Sequence, residues 1–129
     1  MNDEQARALG ERAVACGLWE WRDGMLVHAD GDWLRICECG DPAAAVFGDR
    51  VPMGDIGYRV RWQAAWPDLR DNATCGAVMG LLGDEAWRVG AVKSGGFCVA
   101  FDDESAPEGH RMTWVATWGE ALVCVLEAL

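Results

Sequence analysis

Residues 17–41 read GLWEWRDGMLVHADGDWLRICECGD and are punctuated by two Asp-Gly pairs, Asp23-Gly24 and Asp30-Gly31. Asp-Gly between apolar-rich runs is the strongest short signal for a β-hairpin, because a type I′ turn needs positive φ at both central residues. Two such turns in succession predict a three-stranded meander. In that register Trp21 faces Leu26, Trp19 faces His28, and His28 faces Trp33. Residues directly opposite one another project to the same side of a sheet. One face therefore carries Trp19, Trp21, Leu26, His28, Trp33, Arg35 and Cys37. The other carries Leu18, Glu20, Met25, Val27, Ala29, Leu34 and Ile36, and both faces are apolar enough at their centres to expect at least partial cover.

The flanking sequence supplies what could cover them. Residues 3–16 place Ala6, Leu9, Ala13 and Cys16 on one helical stripe, with Gly17 as the expected stop. The Gly-, Pro- and Asp-rich run 40–57 reads as an irregular excursion. Alternation from Tyr58 to Trp62 suggests a short strand that Pro67 keeps from extending. Asp71 is a good N-cap for a helix over 72–84, on which Thr74, Val78, Leu81, Leu82 and Glu85 follow helical spacing. Gly76 and Gly80 weaken that helix and point to a neighbour packed closely against it.

Beyond it, Trp87–Val92 and Phe97–Phe101 flank Lys93-Ser94-Gly95-Gly96 as a second hairpin, and an acidic loop covers 102–109. Met112–Ala116 reads as a last strand. Thr117-Trp118-Gly119-Glu120 is a capping box that opens a closing helix burying Trp118, Leu122, Val125, Leu126 and Leu129. The expectation is one α+β domain over residues 1–129, with an antiparallel sheet (an N-terminal three-stranded meander plus a later hairpin) packed with three helices.

Composition limits the function classes. The 129 residues carry a net charge of −10, from 21 acids against 11 bases. That excess disfavours direct nucleic-acid binding, whose affinity comes mainly from neutralising phosphates, and it favours a basic protein partner. No apolar run reaches membrane-spanning length, and the N-terminus MNDEQARALGER lacks the layout of a signal peptide, so a cytoplasmic protein without membrane association is expected.

Six cysteines (Cys16, Cys37, Cys39, Cys75, Cys98 and Cys124) offer only one close pair, Cys37-Glu38-Cys39. Structural zinc usually draws on Cys-x2-4-Cys pairs, and this Cys-x-Cys has no second pair to complete four ligands, so buried reduced thiols, no metal and no cofactor are expected. A hard-cation site at Asp102-Asp103-Glu104 is weaker than a solvated loop as a reading.

At WPDLRDNATCGAVMGLLGDEAW, residues 66–87, the chain resembles a group of small proteins encoded by bacteriophages and prophages of GC-rich hosts. Their recurring core is Pro-Asp-Leu-x-Asp-Pro-Ala-Thr-x-Gly, an apolar helix and a Trp. Pro67-Asp68-Leu69, Asp71, Ala73-Thr74, Gly76, Leu81-Leu82 and Trp87 match it, and Asn72 stands where the group has Pro. Gly17-Leu18-Trp19-Glu20-Trp21 and the closing Glu120–Leu129 helix are similar to the group as well. The resemblance implies a phage or prophage origin and carries no catalytic residues.

Catalysis finds little support in the residues themselves. The two serines, Ser94 and Ser105, lie in loops far in sequence from His28 and His110. Only a Cys37–His28 pair on the aromatic face is conceivable as nucleophile and base. The polar start of the 72–84 helix could attract an anion, but Asp68 and Asp71 flank it, and an Asp cap explains those residues.

The chain is therefore expected not to be an enzyme but an accessory protein that binds a macromolecule, for instance inhibiting a host defence or nucleic-acid-handling complex. A small-ligand binder or enzyme with an aromatic pocket, and a minor structural or assembly component, are the alternatives. Eight tryptophans against one tyrosine are the main anomaly. Trp19, Trp21, His28, Trp33 and Arg35 form the candidate binding face, or else the floor of a core.

Overall fold

A computed structural model describes residues 1–29, 32–36, 45–46 and 65–129. Helix α1 spans Asp3–Val14 and opens on a capping box between Asn2 and Gln5, and its buried stripe is Ala6, Leu9, Gly10 and Ala13. It ends before Gly17: Ala15 is the C-cap, and the Cys16 thiol donates to the Arg12 carbonyl, one of the last carbonyls a helix leaves unbonded.

Strands β1 (Leu26–Ala29) and β2 (Asp32–Ile36) pair antiparallel, with Leu26 opposite Arg35, His28 opposite Trp33 and Ala29 opposite Asp32. That is the register expected of the second hairpin; Asp30-Gly31 itself lies outside the described residues. β3 (Ala45–Val46) adds to β2, and β4 (Trp66–Pro67) adds to the far side of β1, giving the order β3-β2-β1-β4. Cys37, Cys39 and the Tyr58–Trp62 strand fall outside the described residues.

The first hairpin differs from expectation. Asp23-Gly24 does form a turn, with Gly24 at φ 87° and the Met25 N–H donating to the Arg22 carbonyl. Residues 19–22, however, form no strand. The backbone of Leu26, which the expected register pairs with Trp21, is already engaged. Its N–H donates to Thr74 Oγ1 at 2.8 Å, and its carbonyl accepts from the Asp68 N–H at 2.8 Å. The place beside β1 goes to Trp66-Pro67 instead. Proline tolerates that place because β4 is an edge strand, where no ladder donor is required on the outer side.

Helix α2 (Asn72–Leu82) starts at Asp71, whose carboxylate accepts from the Thr74 N–H, and stops at Gly83 with φ 55°. A 3-10 helix over Gly83–Arg88 leads into a second sheet of β5 (Val89–Ala91), β6 (Phe97–Asp102) and β7 (His110–Val115), in that order. Trp87 thus belongs to the 3-10 helix rather than to the hairpin strand. Helix α3 (Trp118–Ala128) begins with the Thr117/Glu120 capping box. The architecture is α+β.

α3 packs against α1, α2 and β6, and its Leu122, Val123 and Val125 are fully buried. The core continues through Leu9, Ala13, Met25, Val27, Ile36, Leu69, Val78, Leu82 and Val99. Each of these side chains larger than alanine contributes roughly 1.5–3 kcal/mol by leaving water. Met25 and Val27 mark the inward face of the first sheet, so the face bearing His28 and Trp33 is the outward one.

The close approaches are not on α2. A methyl group added at Gly76 would meet nothing within 4 Å, and at Gly80 only the tip of Arg22 at 3.6 Å. The tight helical glycines are Gly10 in α1 and Gly119 in α3. Gly76→Ala should therefore raise stability by about 0.5–1 kcal/mol, the ordinary helix-propensity gain, as measured by urea denaturation. A loss would mean that α2 has a close neighbour at Gly76.

Candidate binding face on the first sheet

On the outward face, three neighbouring strands each contribute one ring to a row. Trp33 of β2 stands opposite His28 of β1, and His28 stands opposite Trp66 of β4. The His28 imidazole stacks on Trp66 with centroids 4.1 Å apart and planes 13° apart. Trp33 at the other end is 49% exposed. The expected pairing of His28 with Trp33 thus exists, but Trp66 takes the place foreseen for Trp19.

Trp19 and Trp21 lie elsewhere. They meet edge to face at 5.4 Å and pack, partly buried, against the hydrophobic core. The Trp19 indole N–H is buried without an acceptor among the described residues, a cost of about 1–3 kcal/mol that the burial of the ring must outweigh. Of the five candidate residues, His28, Trp33 and Arg35 share one face. Trp19 and Trp21 do not join them, because their segment never enters the sheet.

The row is held from below by carboxylates of the 66–87 stretch. His28 donates from Nε2 to Asp68 Oδ2 at 2.8 Å, and Arg70 donates to both Asp68 oxygens at 2.7 and 2.9 Å and on to Asp3 of α1. Asp68 is only 5% exposed. Burial opposes its charge, but the hydrogen bonds from Arg70 and His28 outweigh that and hold its carboxyl down at about 2. Alongside, Arg35 binds Asp71 through two parallel bonds of 3.0 Å and the Gly24 carbonyl at 2.6 Å. The Arg35 pair lowers Asp71 below the ordinary carboxylate range, helped by the Thr74 bonds and opposed by burial. Bidentate pairing of this kind fixes orientation as well as charge.

Sequence reasoning missed Trp66 and treated Asp68 only as a charge repelling anions. The available signal was Trp-Pro itself, since a residue before proline prefers extended backbone. The cap reading of Asp71 and Thr74 holds.

The described residues of this face offer groups suited to binding and orientation. A carboxylate-oriented histidine resembles half of a hydrolytic triad, yet among the described residues nothing but Asp68 is hydrogen-bonded to His28. Ser105 is bonded to Asp103 in the acidic loop. Cys75 donates to the Leu69 carbonyl, and burial pushes its thiol up to about 12, which keeps it un-ionised and inert. Among the described residues there is no cluster of three metal-ligating side chains and no helix long and apolar enough to cross a membrane. Comparison with protein-family models, with curated proteins and with solved structures finds no match.

Proposed function

We propose that this chain is a phage- or prophage-encoded accessory protein that acts by binding a protein with a basic surface, and that the Trp33–His28–Trp66 face is its contact. Inhibition of a host defence or nucleic-acid-handling complex is the role such a binder would serve. The observation that carries the reading is the half-exposed Trp33 opposite the stacked His28–Trp66 pair. Large aromatic side chains already held in place lose little entropy on binding, and tryptophan is among the residues most enriched in binding hot spots. The net charge of −10 and the resemblance around residues 66–87 support the partner's sign and the origin.

The test compares capture from a lysate of a GC-rich bacterial host by the intact chain and by Trp33→Ala. A specific partner should be retained by the former and lost by the latter, with affinity falling about 30-fold for a 2 kcal/mol anchor. Retention should weaken as salt rises, because opposite charges steer the encounter. Folding of Trp33→Ala should change by less than about 1 kcal/mol, since half the side chain is in water already. A partner bound equally well by both proteins would remove this face from the reading.

A further inference from the structure

Among the described residues, nothing guards the β7 edge of the second sheet. β7 pairs with β6 along all six of its residues without a bulge, and its outer side carries no hydrogen bond to any other described segment. Exposed edges are ordinarily protected by shortness, proline, a bulge or a charge placed over them. β7 has none of these. Its one permanently charged residue, Arg111, folds its guanidinium over the Phe101 ring at 4.6 Å instead of standing at the edge. Trp114 and Met112 are 65% and 47% exposed on one face of this strand. A free row of backbone donors and acceptors flanked by large apolar side chains is a template for another strand.

We propose that two copies of this chain pair edge to edge through β7, antiparallel about a two-fold axis at Thr113, to form one continuous six-stranded sheet. The strand is complementary to itself in that register. Trp114 of each copy comes opposite Met112 of the other, a sulfur–aromatic contact made twice. Thr113 meets Thr113 on the opposite face, and both residues suit sheet pairing. Charge agrees as well. The strand contains no acid despite the chain's net −10, so the approach is not opposed where it is closest. The match of Trp114 with Met112, made twice in a strand free of acid, is what favours a second copy over an unrelated strand. This dimer is independent of the binding face on the first sheet.

Sedimentation velocity of the full chain, from low micromolar to submillimolar concentration, tests it. The intact protein should run at twice its 14.1 kDa mass. Trp114→Glu should raise the dissociation constant at least about tenfold, because the change occurs twice across the axis. At concentrations where the parent is also monomeric, its melting curve and circular dichroism should match the parent, since Trp114 is mostly in water. Adding Met112→Lys to Trp114→Glu places opposite charges across the axis and should restore the dimer. A monomeric parent at every concentration overturns the proposal and leaves the edge to a strand of another protein. A dimer indifferent to Trp114→Glu overturns it too, and failure of the double variant to recover overturns the register.

Discussion

Replacing Asp68 by alanine should cost about 3 kcal/mol of folding stability, seen as a lower midpoint in urea with an unchanged slope. Removing one member of a buried charge network leaves its partners unsatisfied, which typically costs 3–5 kcal/mol. Arg70 can recover part of that from water and from Asp3, so the low end applies here. The loss has a pH signature that a packing defect would not show. Asp68 titrates at about 2 in the folded chain against 3.8 ordinarily. A carboxylate lowered by folding stabilises above its unfolded value, and the stabilisation fades as pH falls through the folded one. The gap corresponds to about 2 kcal/mol, present in full above about pH 4 and lost between there and about pH 2. Asp71 is shifted in the same direction and adds to the acid sensitivity. In Asp68→Asn the curve of stability against pH should be flatter across that window. Parallel acid curves for the parent and Asp68→Asn would show that the Arg70–Asp68–His28 chain contributes nothing.

That network explains why the sequence was legible in some places and not in others. The capped helices declared themselves because a cap is local: Asp71 with Thr74, and Thr117 with Glu120, are decided within four residues. The β1–β2 register followed from alternation across one short connection. The place of residues 19–22 was not local. It depended on whether Trp21 or the distant Asp68 and Thr74 would satisfy the backbone of Leu26, and 48 residues separate Leu26 from Thr74. No turn rule weighs that competition, and the local hairpin signal lost to a tertiary one. The candidate binding face was legible for the same reason only in part. His28 and Trp33 are joined by the hairpin, whereas Trp66 reaches them only because Pro67-Asp68 docks on β1.

Gly119→Ala should destabilise by about 1–2 kcal/mol net, against the sign that helix propensity predicts. Glycine inside a helix normally gives up about 1 kcal/mol relative to alanine. Here an added methyl group would sit 2.5 Å from the Leu69 carbonyl oxygen and 2.8 Å from Leu69 Cβ, distances that side-chain rotation cannot relieve. Either α3 or the segment before α2 must move. α3 carries the fully buried Leu122, Val123 and Val125, so moving it disturbs the centre of the core. Overpacking of that kind costs about 1–3 kcal/mol or more, which exceeds the propensity gain. Gly10→Ala in α1 should behave alike, because its methyl would meet the Pro67 carbonyl at 2.5 Å. The two glycines press on Pro67 and Leu69, either side of Asp68, so α1 and α3 hold that stretch against β1 at the point where it displaces the expected strand. Urea denaturation of Gly10→Ala, Gly76→Ala and Gly119→Ala would read this directly. Losses at positions 10 and 119 should accompany a gain at 76, whereas three gains would mean that propensity alone governs these helices and that the stretch is not clamped.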